Sequence, residues 1–286
     1  ESHRVEAFAG ELSLPGDKSM SHRALITVAL AVGETRIFGL LEGRDVIATA
    51  NALRFLGVVI EKNYDGSWSV FGRGVGGLSE SPTILDMGNS GTGARLLIGL
   101  VAAHPFNTIF SGDTSLRTRP MERVMAPLRH MGAVLTARSC ARLPLAVCGS
   151  DLLCPVTEKL DIASAQVKSA ILLAGLNTRG KTTVIEPLPT RDHTENILAA
   201  FGAEISIEAN DQAKAITLTG QPEILAREIK IPGDISSAAF PLVAALITPG
   251  ARITIENVGL NPLRTGLLDT LVEMGAKIKI TNNRTA

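Results

Sequence analysis

The chain has 286 residues, 45% of them hydrophobic and 20% charged, with a mean hydropathy of +0.23, enough to bury a large core in two domains. Its 28 basic and 28 acidic residues cancel, so no global field attracts nucleic acid or an anionic membrane, and any anion binding must come from local clusters. The three cysteines (Cys140, Cys148, Cys154) fall outside metal-type spacing and the five histidines are scattered, which argues against a metal site and for a reducing cytoplasm.

Glu1 to Leu12 is polar and mixed and does not read as a signal peptide, and the longest apolar stretches, Ala24–Val32 and Ala238–Ile247, are too short or Pro-interrupted to span a bilayer. Alternation up to Leu14 predicts a strand, broken by Pro15-Gly16. Ser19 or Ser21 is then expected to cap a helix that Gly33 terminates. ETRIFGL predicts a strand, DVIATANALRFLG a second helix, and VVIEK with SWSVFGRG a hairpin around Asp65-Gly66. The same order returns as SGTGARLLIGLVAA, NTIFSGD, RPMERVMAPLRHMG and AVLTA. It returns again as SAQVKSAILLAGL, KTTVIEP, RDHTENILAAFG and AEISIEA, where His193 reads as a polar residue at a helix start. ISSAAFPLVAALI, ARITIENV, NPLRTGLLDTLVEMG and a strand AKIKI make a fourth round.

This recurrence is a repeat. The glycines that close the second helix of each round, Gly57, Gly132, Gly202 and Gly275, are 75, 70 and 73 residues apart. Four helix–strand–helix–strand units of this kind predict a layered α/β architecture. One internal match is closer than the rest: LPGDKSMSHRAL (Leu14–Leu25) and IPGDISSAAFPL (Ile231–Leu242) share P-G-D-x-S ahead of a helix, but only the first carries cations.

Four segments carry candidate chemistry. Lys18, Ser19 and Arg23 stand at a helix start, where free N–H groups and the positive dipole end favour an anion. The alternative there is a serine cap with two solvated cations, and no upstream glycine supports a nucleotide-binding P-loop. GNSGTGARLL (Gly88–Leu97) permits close backbone approach and carries Asn89, Gly91 and Arg95, although a tight strand-to-helix turn also explains such glycines. Arg117 and Arg119 precede Pro120, which is expected in the first turn of the next helix, and arginine offers two parallel donors to an anion. Ser164 and Gln166 open the third unit's helix, at positions read as equivalent to Ser19 and Ser90. Such ends, brought together around an axis, would make an anion site in a neutral protein.

LPGDKSMSHRAL, DMGNSGTGARLL, GDTSLRTRPMERV, ASAQVKSAILLAGL and IPGDISSAAFPLVAAL, in this order, resemble the 5-enolpyruvylshikimate-3-phosphate synthase family from about Glu11 to Lys279. The wording is similar to the bacterial class that includes glyphosate-tolerant members. The resemblance implies an α/β (α+β) fold of βαβαββ units, three per domain, in two domains. Residues 17–231 would form a complete substrate-binding domain, with 1–16 and 232–286 an incomplete second one holding its first unit only. It implies transfer of the enolpyruvyl group of phosphoenolpyruvate to the 5-hydroxyl of shikimate 3-phosphate, releasing phosphate, on the shikimate route to chorismate and the aromatic amino acids. The enzyme would be a cytoplasmic monomer using no metal or organic cofactor and contacting neither nucleic acid nor membrane.

Carried over, Lys18, Ser19, Arg23, Ser164, Ala165, Gln166 and Arg191 would bind shikimate 3-phosphate. Lys18, Gly91, Arg119 and Gln166 would bind phosphoenolpyruvate, with Lys18 catalytic in proton transfer; Arg95 and Asn89 would shape the glycine-rich turn. The family's remaining two units, with an Asp, a Glu and cations that complete the phosphoenolpyruvate pocket, have no counterpart in these 286 residues, so this piece alone is expected to bind weakly and turn nothing over. The related UDP-N-acetylglucosamine enolpyruvyl transferase would carry Lys-Asn at Lys18-Ser19 and a Cys within Ser111–Pro120, where none stands. RNA 3′-phosphate cyclase would need a late nucleophilic His, also absent. A non-catalytic binding fragment would lose charge at Lys18, Arg23 and Arg119, yet all three remain.

Overall fold

The computed structural model describes residues 7–209 and 213–284. The chain opens with β1 (Ala9–Ser13), α1 (Lys18–Ala29), β2 (Val32–Phe38), α2 (Arg44–Phe55), β3 (Val59–Lys62) and β4 (Trp68–Arg73). It continues with β5 (Leu85–Asp86), α3 (Gly91–Ala102), β6 (Asn107–Ser111), α4 (Glu122–His130), β7 (Val134–Arg138) and β8 (Arg142–Cys148). A third round gives β9 (Thr157–Lys159), α5 (Ala165–Leu176), β10 (Lys181–Glu186), α6 (His193–Ala200), β11 (Ile205–Ala209) and β12 (Lys214–Thr219). The last elements are β13 (Ile229–Lys230), α7 (Ile235–Ile247), β14 (Arg252–Glu256) and α8 (Gly266–Glu273). Among the described residues no helix is long and apolar enough to cross a membrane.

Lys18–Ile231 forms one compact unit, and Glu1–Asp17 with Pro232–Ala286 forms another. The larger unit holds three four-stranded sheets of one pattern: β13-β2-β4-β3, β5-β6-β8-β7 and β9-β10-β12-β11. In each, a short edge strand runs parallel to its neighbour, and the other pairs are antiparallel. A parallel pair needs a crossover, and α3 and α5 supply it for the second and third sheets. These edge strands, two or three residues long, are too short for any periodicity to reveal them.

The helices divide by burial. In α1, α3 and α5, nine, ten and eleven of the twelve residues are buried, whereas α2 buries five of twelve. A helix apolar on every side belongs inside, and the Ala- and Gly-rich composition lets α3 and α5 approach closely. A Cβ on Gly99 would stand 2.3 Å from the backbone of Ala170, so that contact requires glycine.

The smaller unit pairs β1 in parallel with β14, from Ala9↔Arg252 to Ser13↔Glu256. The two P-G-D turns meet here. Gly16 bridges Gly233, Asp17 N–H donates to Pro232 O at 2.8 Å, and Asp234 N–H donates to Pro15 O at 3.0 Å. Each turn is therefore the other's hydrogen-bonding partner, a physical reason for their shared wording. Its apolar core is small, with Ile235, Ala238 and Leu268 buried.

Several local expectations differ from the structure. Helix α1 begins at Lys18, so Ser19 and Ser21 lie inside it; the Ser21 hydroxyl instead accepts from Leu41 N–H at 3.1 Å. The helix ends at Ala29, and Gly33 sits within β2 at φ 105°. Pro120 precedes α4 rather than opening it, because Met121 N–H is taken by Ala141 O at 2.7 Å before the helix starts at Glu122. The strand expected at Ala276–Ile280 is not formed. In the larger unit β4, β8 and β12 pair with the corresponding strands, and no such partner follows it among the described residues.

Candidate functional site

Every residue singled out for binding lies in the larger unit, and most stand at the starts of its three buried helices. The first two residues of those helices are Lys18-Ser19 in α1, Gly91-Thr92 in α3 and Ala165-Gln166 in α5. The serines thus do not share one register. Ser90 and Ser164 cap their helices, accepting from Gly93 N–H at 3.1 Å and Val167 N–H at 3.4 Å. Ser19 is a second helical residue and corresponds to Thr92 and Gln166 instead. The register difference comes from Asp17, which precedes α1 where the other two helices have serine.

Around α1 the contacts gather three elements. Arg23 is 5% exposed and donates Nε to Thr194 Oγ1 at 2.7 Å, Nη2 to Ser169 Oγ at 2.9 Å and Nη1 to Ser19 O at 3.1 Å. The Ser169 and Thr194 hydroxyls meet at 2.6 Å. Arg191, in the loop before α6, donates to Ser19 Oγ at 3.1 Å. Lys18 stands apart from this knot, its Nζ 2.9 Å from Asp45 Oδ2 on α2.

A second group surrounds the start of α3. Arg95 donates Nη1 to Gly91 O at 3.1 Å and to Gln166 Oε1 at 3.3 Å, and Nη2 to Pro120 O at 3.3 Å. Gln166 Nε2 donates to Thr92 Oγ1 at 2.8 Å, and Arg119 donates to Asn89 Oδ1 at 2.5 Å. A Cβ on Gly91 would lie 2.9 Å from Arg95 Nη1 and 3.0 Å from Arg119 Nη1, so the bare glycine faces both guanidinium groups. The two groups are neighbours. Gln166 serves one and Ser169 the other, three residues apart on α5 and therefore on one helix face.

The electrostatics favour an anion. Burial, then the charges of Arg119 and Arg123, depress the Arg95 pKa, and the oxygens Arg95 and Arg119 hydrogen-bond are neutral amides, carbonyls and a hydroxyl, although Asp113, which accepts from Asn89 at 2.8 Å, offsets part of the Arg119 charge. An arriving phosphate or carboxylate would relieve that repulsion. His22 adds no charge: burial first, then Arg23, lower its pKa to about 3, while its Nδ1 bonds Thr49 Oγ1 at 2.9 Å. A separate groove of about 570 Å³ between α2 and Thr83–Gly88 touches the candidate segments only at Gly88. Among the described residues no group of three or more His, Cys, Asp or Glu side chains is arranged to hold a metal ion.

Sequence reasoning missed Asp45, Ser169 and Thr194. Ser169 had a usable signal, since it follows Gln166 by one helical turn; Asp45 and Thr194 sit 27 and 171 residues from their partners and gave none.

Buried helices whose starts bring arginines and small polar residues together, within a threefold repeat of one sheet pattern, define an α/β repeat protein. The chain belongs to the EPSP synthase family (3-phosphoshikimate 1-carboxyvinyltransferase), which it matches over residues 3–286. It is 58% identical over 284 residues to the 3-phosphoshikimate 1-carboxyvinyltransferase of Paramagnetospirillum magneticum, covering 99% of this chain and 64% of that protein. It is 55% identical over 288 residues to the enzyme of that name from Rhodospirillum rubrum, with 99% and 64% covered. The solved EPSP synthase of Acinetobacter baumannii is similar at a TM-score of 0.90 and 45% identity, over 98% of this chain and 62% of that one. The chain therefore spans just under two thirds of the length of these relatives.

Proposed function

We propose that the larger unit is the shikimate 3-phosphate-binding part of an enolpyruvyl transferase of the cytoplasmic shikimate route. The observation that carries this reading is the joining of Ser19, Arg23 and Arg191 to Gly91, Arg95, Arg119 and Gln166 through one face of α5. In this reading the phosphate of shikimate 3-phosphate is held by Ser19, Arg23, Arg191 and the α5 start, Ser164, Ala165 and Gln166. Phosphoenolpyruvate lies against Gly91, with its anionic groups on Arg119 and Gln166 and within reach of Lys18.

The chemistry needs these groups for two reasons. Both substrates are polyanions, so holding them together requires cations and positive helix ends. Attack of the 5-hydroxyl on C2 of phosphoenolpyruvate must be accompanied by protonation of its methylene carbon, which makes C2 electrophilic. Lys18, half exposed at a helix start, supplies that proton while the 5-hydroxyl proton passes to solvent; the departing phosphate breaks its C2–O bond as a methyl proton returns to Lys18, which forms the new enol ether. The test is calorimetric titration of the chain with shikimate 3-phosphate and with shikimate. Preference for the ester by at least about tenfold is expected; equal affinity overturns the assignment.

A further inference from the structure

Beneath the Arg23 layer lies a sealed ion cluster that the reading above does not use. Lys168 on α5 is fully buried, with Nζ 2.8 Å from Glu186 Oε2 at the end of β10 and 2.6 Å from Glu195 Oε1 on α6. Both carboxylates are buried too. Removing three charges from water is costly, and such clusters often stabilise a fold no better than apolar side chains of the same shape. What they can supply is one fixed arrangement of the chain.

That arrangement can be named. Lys168 and Ser169 are consecutive on α5, and Thr194 and Glu195 are consecutive on α6, so the two helices are stitched along adjacent lines. On one line Ser169 meets Thr194 and both receive Arg23; on the other Lys168 meets Glu195. Glu186 adds a third tie, because the Thr190 hydroxyl donates to its other oxygen, Oε1. The segment Pro187–Thr190 is thereby anchored at both ends, and Arg191 follows it directly on its way to Ser19 Oγ. Arg191 sits between one residue tied to Glu186 and another tied to Lys168.

We propose that Lys168, Glu186 and Glu195 form a positioning triad that sets Arg191 and the Thr194–Arg23 pair for a phosphate ester. The identity of the ester rests on the function proposed above; the placement does not. Two variants separate placement from folding. Thr190→Val cuts the loop's tie while leaving the ammonium paired, and Lys168→Met/Glu186→Gln/Glu195→Gln neutralises the cluster without stranding a buried charge.

Amide hydrogen exchange across residues 187–195 and titration with shikimate 3-phosphate and shikimate are read on the parent and both variants. In each variant, exchange across 187–195 should rise at least about tenfold while α3 keeps its protection. The preference for the ester over shikimate should fall about tenfold with shikimate affinity within about twofold of the parent, and Thr190→Ser should behave as the parent. Unchanged exchange and preference in Thr190→Val overturn the proposal even if the triple variant does not fold. Equal loss of ester and shikimate affinity also overturns it, since that marks a general structural role. A parent without preference for the ester removes the ligand assignment, and the exchange arm still decides the placement.

Discussion

The chain uses one turn twice and leads it into two different helices. After Pro15-Gly16-Asp17 come Lys18, Ser19, His22 and Arg23; after Pro232-Gly233-Asp234 the same places hold Ile235, Ser236, Ala239 and Phe240. Arg23 is buried and binds two neighbouring elements, whereas Phe240 is 80% exposed. Ser19 and Ser236 each receive an arginine, Arg191 and Arg264 respectively, but Arg264 is also matched by carboxylates, 3.2 Å from both Asp17 and Asp234. The turn itself is thus architecture, since its two copies pair with each other. In the proposed function, chemistry depends on the residues that follow it.

Making the first helix start resemble the second gives the largest expected effect. Lys18→Met, assayed in a chain of the relatives' full length, should lower turnover by about 10²–10⁴-fold, the range for loss of a general acid. Thermal stability should hardly move. Lys18 and Asp45 are 51% and 27% exposed in their side chains, and such a pair contributes less than about 1 kcal/mol. Turnover near the parent's would reduce the motif to a helix start with a surface ion pair.

The next contrast is between Arg23 and Phe240. Arg23→Met removes three donated hydrogen bonds from a buried place, although Ser169 and Thr194 keep each other. A loss of about 2–4 kcal/mol in denaturant unfolding is expected. Phe240→Ala, at the matching place, should stay within about 0.5 kcal/mol. Similar losses at both would mean that the two helix starts are equally structural.

This contrast also shows what was legible in the sequence. The shared P-G-D and the cations after only one copy could be read directly, as could the repeat, because the pattern of apolar helices and closing glycines recurs at a near-constant spacing. The short edge strands could not, since the two residues of β13 that join β2 carry no pattern of their own. The buried triad was equally hidden: Lys168 looks like an ordinary polar residue within an apolar helix until Glu186 and Glu195 arrive from other elements. The Ser19–Ser90–Ser164 register was misread because serine serves as a cap in two helices and as a second helical residue in the third.

His22 sharpens the comparison through pH, because its counterpart is Ala239. Its folded pKa of about 3 lies below the ordinary 6.5, so the unfolded chain takes up the proton first as pH falls. The stability it contributes is complete above pH 6.5 and is lost as pH drops toward 3, by about 1.4 kcal/mol per unit. Arg23 and Lys18 favour the neutral ring and Asp45 opposes them. Between pH 6.5 and 5 the parent should lose about 2 kcal/mol more than His22→Asn, which can keep the bond to Thr49. Parallel pH profiles of the two proteins would show that His22 titrates normally in the folded state.

Gly91 extends the comparison to the start of α3 and carries the smallest expected effect. Its backbone is helical, so alanine meets no conformational penalty there; what it meets is Arg95 Nη1 at 2.9 Å and Arg119 Nη1 at 3.0 Å. Both heads are tied, one to Gln166 and the other to Asn89, so they can yield only by disturbing those contacts. In the proposed site phosphoenolpyruvate lies against this glycine, and its longer mimic glyphosate would occupy the same space. A methyl group narrows the space for both ligands, but the longer one has less room to retreat. Gly91→Ala, in a chain of the relatives' full length, should raise the glyphosate inhibition constant about tenfold, or roughly 1–2 kcal/mol, and the KM for phosphoenolpyruvate by less than about threefold. Steady-state inhibition of the parent and variant decides it, and equal inhibition constants would place Gly91 outside the pocket, leaving Arg95 and Arg119 to serve some other anion.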